Sequence, residues 1–396
     1  MKENNHKNIK YTILIISILT ISFVSCYDCV PIYDYQSPEF IDDGIKVGTL
    51  EQVGIDSQII AKAIGCIYAN KFDQVHSMLI YKDSMLVFEK YFEGNKYKWD
   101  GSDYYGERIQ WDTNSKHVIM SCTKSITSAC IGIALDRGYI KSVHESVFDY
   151  LPKHQQFKTE GKEKITIEHL LTMTSGLKWN EWGAHDPSIN DIDRLYSYCQ
   201  NDPVSCVLER PLVNKPGEKF TYNGGGMIIL GEVLKNATNM NIGDFSKMYL
   251  FEPLGIDSVQ WYQFENGTYA CDGSIMMTSR DMLKFGVTYL NEGKWNNERI
   301  LSKEWVEKSK KTYNNNIGID IPIDDSGKNA YAYSWWTNEI SISGKKVKLF
   351  QAGGWGGQEI IVFPGDNMVV VFTGGNYTVK KHIYKILKRY ILPAIE

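Results

Sequence analysis

The sequence predicts a mixed α+β protein, and three observations carry that reading. Runs rich in β-forming residues lie far apart in the chain, at 75–81 and 85–92 and again between 346 and 373. An apolar run over 126–135 stops at Gly138 in the manner of a buried helix. Between these regions lie further helical segments and long loops. With 396 residues, 43% of them hydrophobic and 23% charged, the chain has material for a large core in one or two domains.

Lys2, Lys7 and Lys10 precede an apolar run over 11–24, too short to span a bilayer comfortably and suited to a signal-peptide core. The run ends Ile21-Ser22-Phe23-Val24-Ser25-Cys26, which resembles the lipobox of bacterial lipoproteins, although Phe23 stands where leucine is usual. The expectation is a signal peptide over 1–25, lipidation of Cys26, and a tether over 26–50 holding the protein at the periplasm or cell envelope. The alternative is cleavage near Ser25 and a soluble secreted protein. From 51 onward the chain reads as globular. A short amphipathic helix falls within 52–70, then a hairpin pairs 75–81 with 85–92 around Lys82-Asp83-Ser84. Residues 96–118 are polar and aromatic without periodicity.

Beyond Gly138, the segment 165–177 reads as a short helix with Thr166 at its N-cap and Gly176 at its C-cap. His169, followed by Leu170 and Leu171, reads as a structural histidine. The stretch 178–215, with Trp179 and Trp182, is loop-rich, and loops of that length shape sites. An apolar helix follows at 227–234 and an amphipathic one at 280–290. Strands at 346–351, 358–363 and 368–373 and a helix at 379–392 close the chain.

Chemistry enters at Ser121 and Lys124, three residues apart at the start of the 126–135 helix. Positions i and i+3 share a helix face, so the amine lies beside the hydroxyl. A serine needs an adjacent base to become a nucleophile, and an amine serves once burial disfavours its charged form. The spacing also occurs at Ser175/Lys178 and Ser343/Lys346, but those copies sit in turns; only Ser121 opens a long buried helix. Two further loops could face it. Pro216-Gly217 leads to Tyr222-Asn223-Gly224-Gly225-Gly226, which can present a phenol and an amide with little steric cover. Ala352-Gly353-Gly354-Trp355-Gly356-Gly357 allows close backbone approach to a ligand and a strand-edge oxyanion donor. The bland reading of the first is a helix-capping loop with a packed tyrosine.

Other classes are weakly supported. The formal charge is −4, or −6 without residues 1–25, and no basic cluster points to nucleic acid. Eight cysteines match no zinc spacing, and no His-Glu-x-x-His occurs, so neither metal nor cofactor is expected. Cys199 and Cys206 could bridge a short loop, which sequence alone leaves open. Twenty-five tyrosines and ten tryptophans could line an aromatic groove or simply pack the core.

Taken together, Ser121-Cys122-Thr123-Lys124, the Tyr222 loop and the 352–357 edge resemble the three motifs of the serine β-lactamase and penicillin-binding-protein superfamily. The likeness is nearest to class C β-lactamase-like esterases, D-aminopeptidases and aminohexanoate-dimer hydrolases. It takes in His169 to Leu177 and Ser279-Arg280-Asp281, and so covers roughly 70–392. The resemblance implies an α/β sandwich: an antiparallel sheet built from about 51–115 and 255–396, flanked by helices, with a mainly helical region over about 116–254. It implies an acyl-enzyme on Ser121, Lys124 and Tyr222 sharing acid–base work, backbone N–H groups of Ser121 and Trp355 as the oxyanion hole, and Asn223, Gly353 and Gly354 against substrate.

Two departures from the pattern matter. The second motif is usually Tyr-x-Asn, but its third position here is Gly224. Ala352 stands where a lysine or histidine would bind a substrate carboxylate. The expected activity is therefore hydrolysis of a small ester, amide or peptide; the alternatives are a β-lactamase or peptidoglycan D-peptidase, or a lipid-anchored binding protein without turnover.

Overall fold

The computed structural model describes residues 33–99, 103–313, 316–342 and 344–395. The signal segment, Cys26 and Ser343 lie outside these residues. Residues 33–50 do not hang free as a tether but pack along the sheet: Ile45 and Leu50 are buried, and the Tyr35 hydroxyl donates to the Val87 carbonyl at 2.7 Å. Apolar side chains spaced along this stretch give it a place in the core that its polar composition concealed.

Helix α1 (Ser57–Tyr68), capped by the Asp56 carboxylate, leads into β1 (Val75–Lys82) and β2 (Met85–Tyr91), the expected hairpin. Strands β3 (Glu93–Tyr97) and β4 (Tyr105–Gln110) pair within the stretch that showed no periodicity. Their side chains are exposed or half-buried on both faces, so no alternation marks them. After β5 (His117–Val118) comes α2 (Cys122–Asp136), followed by α3 (Ile167–Leu171), α4 (Asp191–Tyr198), α5 (Pro203–Leu208), α6 (Gly224–Thr238) and α7 (Ile242–Ser246). Helix α3 ends at Thr172 rather than at Gly176.

Strands β6 (Gln260–Trp261) and β7 (Ile275–Met277) join β5 in a small sheet of order β5-β7-β6. Helix α8 (Ser279–Leu290), the β8 (Lys294–Trp295) and β9 (Glu298–Arg299) hairpin and α9 (Lys303–Lys310) precede β10 (Ile319–Asp320), β11 (Lys328–Tyr331), β12 (Trp336–Ile342), β13 (Lys345–Gly354), β14 (Gln358–Phe363) and β15 (Met368–Gly374). The final helix begins later than expected: α10 (Ile383–Ile386) continues through a widened turn to Ala394.

The main sheet has eight strands in the order β10-β11-β12-β13-β14-β15-β1-β2, every neighbouring pair antiparallel. Both chain ends therefore meet in it. Its alternation sorts side chains between two cores. Val369 and Val371 face α2 and α8, whereas Met368, Val370 and Phe372 face α1 and the C-terminal helix. The result is an α/β sandwich. Buried Arg280 at the start of α8 ties that helix to β2 through Glu89, at 2.6 Å, and to Asp43 at 3.2 Å. Cys199 and Cys206 are joined as a disulfide between α4 and α5.

Candidate active site

Helix α2 is buried over nearly its whole circumference, from Cys122 to Ala134. Small residues make this possible. Ser125, Thr127 and Ser128 donate to carbonyls of Ser334, Cys271 and Tyr333, and Gly132 lies flat on Trp305, where a Cβ would approach to 2.5 Å. Ser121 occupies the N-cap position, but its hydroxyl makes no capping bond. Met120 just before it has φ +48, an uncommon left-handed conformation for a side chain of that size, which turns the chain sharply into the helix.

Lys124 Nζ donates to Ser121 Oγ at 2.9 Å and to the Asp272 carbonyl at 2.8 Å, while its side chain is 3% exposed. The same nitrogen sits 4.8 Å from the Tyr222 ring centre. Burial pushes the Tyr222 phenol well above its ordinary value, and the nearby Glu181 charge adds to this; a hydrogen bond with Ser121 works the other way. The three residues expected to share the chemistry are thus in one place. Lys178 and Lys346, from the other two copies of the spacing, lie away from the cavity.

The strand edge also arrives where expected. A Cβ on Gly354 would meet the Ile119 carbonyl oxygen at 2.6 Å, so only glycine lets the end of β13 come this close to the start of α2. Gly353, Gly354 and Trp355 line the same cavity as Ser121. Asn223 does not. It is 2% exposed, and its side-chain oxygen accepts from the Gly226 N–H at 3.0 Å, capping α6. The cap satisfies an otherwise unpaired helix N–H, and that draws the amide away from the cavity. Ala352 turns into the core beside α2, so no cation stands at that point.

Reasoning from sequence missed the carboxylates. Glu181, in the loop between α3 and α4, places Oε1 3.7 Å from Lys124 Nζ. Its other oxygen accepts from Trp179 Nε1 at 2.6 Å and from the Gly224 N–H. A Cβ on Gly224 would lie 3.0 Å from that oxygen and 2.8 Å from Ile192, so the glycine leaves the space that Glu181 fills. Burial pushes the Glu181 carboxyl up, and Lys124 opposes the shift. Asp272 is likewise raised by burial, with Lys124 and Tyr196 opposing. Only the length of the 178–215 loop signalled that site residues lay there.

The cavity is about 710 Å³ and aromatic. On one side Trp182, Tyr222 and Trp336 stack, with Tyr222 5.1 Å and 5.6 Å from its two neighbours. On the other, Trp355 packs against His185, Tyr104 and Tyr97. Lys381 forms part of the floor, paired with Asp324 and Glu359 at 2.7 Å each.

A family profile described as Beta-lactamase matches residues 75–385. A provisionally named D-alanyl-D-alanine carboxypeptidase of Salmonella enteritidis is 26% identical over 254 residues, which cover 62% of this chain and 55% of that protein. The chain thus spans about half the length of the curated relatives it matches. Among solved structures, a provisionally named 6-aminohexanoate-dimer hydrolase from Bacillus anthracis superposes with a TM-score of 0.65 at 19% identity, covering 92% of this chain and 87% of that one. A family VIII carboxylesterase superposes at 0.60 with 16% identity, covering 80% and 91%.

Proposed function

This chain belongs to the Beta-lactamase family of serine hydrolases, and we propose that it cleaves a small ester or amide through an acyl-enzyme on Ser121. The observation that carries this reading is the meeting of Ser121 Oγ, Lys124 Nζ and the Tyr222 ring beside the Gly354–Trp355 edge of one aromatic cavity. Ser121 Oγ attacks the carbonyl carbon and passes its proton to Lys124. The elevated Tyr222 phenol stays protonated at rest, so it acts as an acid toward the leaving group rather than as a resting phenolate base. Glu181, raised by burial and close to the amine, is the neighbour able to take a proton from Lys124 beforehand. The N–H groups of Ser121 and Trp355 hold the oxyanion, an interaction worth about 3 kcal/mol per donor.

With Ala352 turned into the core, position 352 offers no cation to a substrate carboxylate, which favours substrates that lack one there. A second reading, a D-peptidase or β-lactamase, draws support from the name of the Salmonella relative. Turnover of nitrocefin or a stable penicilloyl adduct on Ser121 would favour it. Export by the 1–25 segment, with Cys26 lipidated and the enzyme held at the cell envelope, completes the proposal. Intact-mass measurement with a nitrophenyl acyl ester tests the chemistry. The wild-type protein is expected to gain one acyl group and Ser121→Ala none; equal ester turnover by both would overturn the reading.

A further inference from the structure

A strap of chain at the cavity mouth holds a conformation that its sequence disfavours. Between β10 and β11, Ile321, Pro322, Ile323 and Asp324 line the cavity. Ile323 has φ +59, and it is the one β-branched residue with a left-handed backbone among the described residues. Branching at Cβ suits that region least of all, because the side chain crowds its own backbone. Asparagine or glycine would occupy the position with less strain.

The conformation is imposed by what lies beneath. Lys381 Nζ pairs with Asp324 at 2.7 Å, and the Lys381 backbone N–H donates to the Ile323 carbonyl at 3.0 Å. The two oxygens of Asp325 accept from the N–H groups of Tyr384 and Lys385, at 3.1 Å and 2.8 Å, in α10. These bonds fix the strap but do not bury Ile323, whose surface is 45% exposed. Strain that brings no burial points to a use for the side chain it presents.

The position of that side chain narrows the use. Lys381 also reaches the Gly354 carbonyl at 3.4 Å, so one lysine grips both the strap and the oxyanion edge, and Ile323 lies within a lysine's length of that edge. Trp99, Trp182 and Tyr262 are likewise exposed and line the same cavity. Large apolar side chains from four separate segments thus meet water at one mouth. The acids nearby are engaged with protein groups: Glu181 accepts from Trp179 and Gly224, Asp272 from Tyr196, and Asp324 holds Lys381. What the mouth offers a ligand is mainly hydrocarbon, and an alkyl chain laid on it would take that surface out of water.

We propose that the 321–324 strap is a specificity wall on which Ile323 receives an unbranched alkyl chain of the substrate, so that the preferred esters or amides carry such a chain on one side of the scissile bond. The proposal rests on the hydrolase reading above. The carbonyl sits at the Gly354–Trp355 edge and the chain runs from it along the strap toward the mouth.

The test follows kcat/KM through two series of esters kept below their solubility limits. Nitrophenyl acetate, butanoate, hexanoate and octanoate lengthen the acyl chain; methyl, butyl, hexyl and octyl acetate lengthen the alcohol. In the wild-type protein one series is expected to gain about threefold per methylene over the stretch that reaches Ile323. The series that gains identifies the side of the bond lying on the strap. Ile323→Asn and Ile323→Thr should both flatten the gain, with the acetate, too short to reach, little changed. The two variants lose similar apolar surface, but only threonine keeps the branch, so Ile323→Asn should melt at the higher temperature. No gain in either wild-type series, a gain unchanged in the variants, or a threonine variant that melts as high as the asparagine one would each overturn the proposal and leave the hydrolase standing. If no ester turns over, the hydrolase reading fails and binding decides the wall. Titration of tryptophan fluorescence with 1-octanol and 1-butanol supports it if the longer alcohol binds more tightly to the wild type but not to Ile323→Asn, and equal binding of the two by the wild type removes it.

Discussion

The Glu181 carboxylate stands 3.7 Å from Lys124 Nζ, in space that Gly224 leaves open. Ser121 and Lys124 stand three positions apart in the sequence; Glu181 comes from a loop far from both. Its second oxygen takes two N–H groups, so the carboxylate is held rather than mobile. Replacing it by glutamine keeps an oxygen for Trp179 and Gly224 but turns an amide toward the lysine. Glu181→Gln is expected to slow acylation by about tenfold to a hundredfold, with kcat falling more than KM rises. A pH–rate profile beside the wild type tests the assignment, since loss of this group should displace one limb. An unchanged profile with unchanged kcat would make Glu181 a packing residue.

The same geometry predicts a coupling. Gly224→Asn restores the family's usual residue, but its Cβ would crowd Ile192 at 2.8 Å and the Glu181 oxygen at 3.0 Å. Alone, the substitution should lower activity and stability, the latter by about 1–3 kcal/mol as overpacking does. In a Glu181→Ala background the clash with the carboxylate is gone and chiefly the tip of the Ile192 side chain has to give way, so the new side chain can offer its amide to Lys124. Gly224→Asn should therefore raise the activity of Glu181→Ala while lowering that of the wild type. A double-mutant cycle on acylation rate reads the sign, and additive effects would show that the two positions do not share one space.

Much of this arrangement was legible before the fold was known. Helix α2, the β1–β2 hairpin and the β13–β15 strands announce themselves because one or both faces are apolar at the right period. Ser121 and Lys124 follow from helix spacing, and Gly353–Gly354 from the need for close approach. What stayed hidden has physical reasons. Asn223 could either cap a helix or face a ligand, and the unpaired N–H of Gly226 decided for the cap. Strands β3 and β4 mix exposed and half-buried residues on both faces and so carry no pattern. Glu181 and Asp272 are acids in irregular segments, where only tertiary contact distinguishes a buried carboxylate from a solvated one.

Acid sensitivity follows from a buried histidine pair. His76 Nδ1 and His117 Nε2 are 3.1 Å apart, and Trp111 stacks on both rings. Burial, helped by Arg108, holds His76 down to about 3, and burial with the His76 neighbour holds His117 well below its ordinary 6.5. Folded histidines of this kind stay neutral while the unfolded chain binds protons. Their contribution to stability is therefore fully present above about pH 6.5 and is lost as pH falls below it, for His76 down to about 3, by up to roughly 1.4 kcal/mol per histidine per pH unit. Melting temperatures measured from pH 7 to 4.5 should fall, and His117→Gln should flatten the slope. A slope equal to the wild type's would place the acid sensitivity in other groups.

Beneath the strand edge, Lys381 is fully buried between Asp324 and Glu359, and its amine also reaches the Gly354 carbonyl at 3.4 Å. Burial opposes its charge, but the two carboxylates prevail and hold it above the ordinary lysine value. Removing the cation strands two buried acids. Lys381→Met is expected to cost about 3–5 kcal/mol, as breaking a buried ion pair does by leaving charge uncompensated. Burial pushes the Glu359 carboxyl up to about 8 even beside Lys381, so without the lysine it takes a proton and Asp324 is the acid left charged; adding Glu359→Gln should recover only a small part of the loss, and Glu359→Gln in the wild type leaves Lys381 with Asp324 and should cost less than Lys381→Met. Because Lys381 grips Gly354, the residue before Trp355, the single variant should also lower kcat on a neutral nitrophenyl ester, with KM less affected. Denaturant melts and steady-state kinetics on the three variants check both parts. Full stability in Lys381→Met would show the cluster to be dispensable to the fold, and full kcat in a folded Lys381→Met would show that β14 alone holds the oxyanion edge in place.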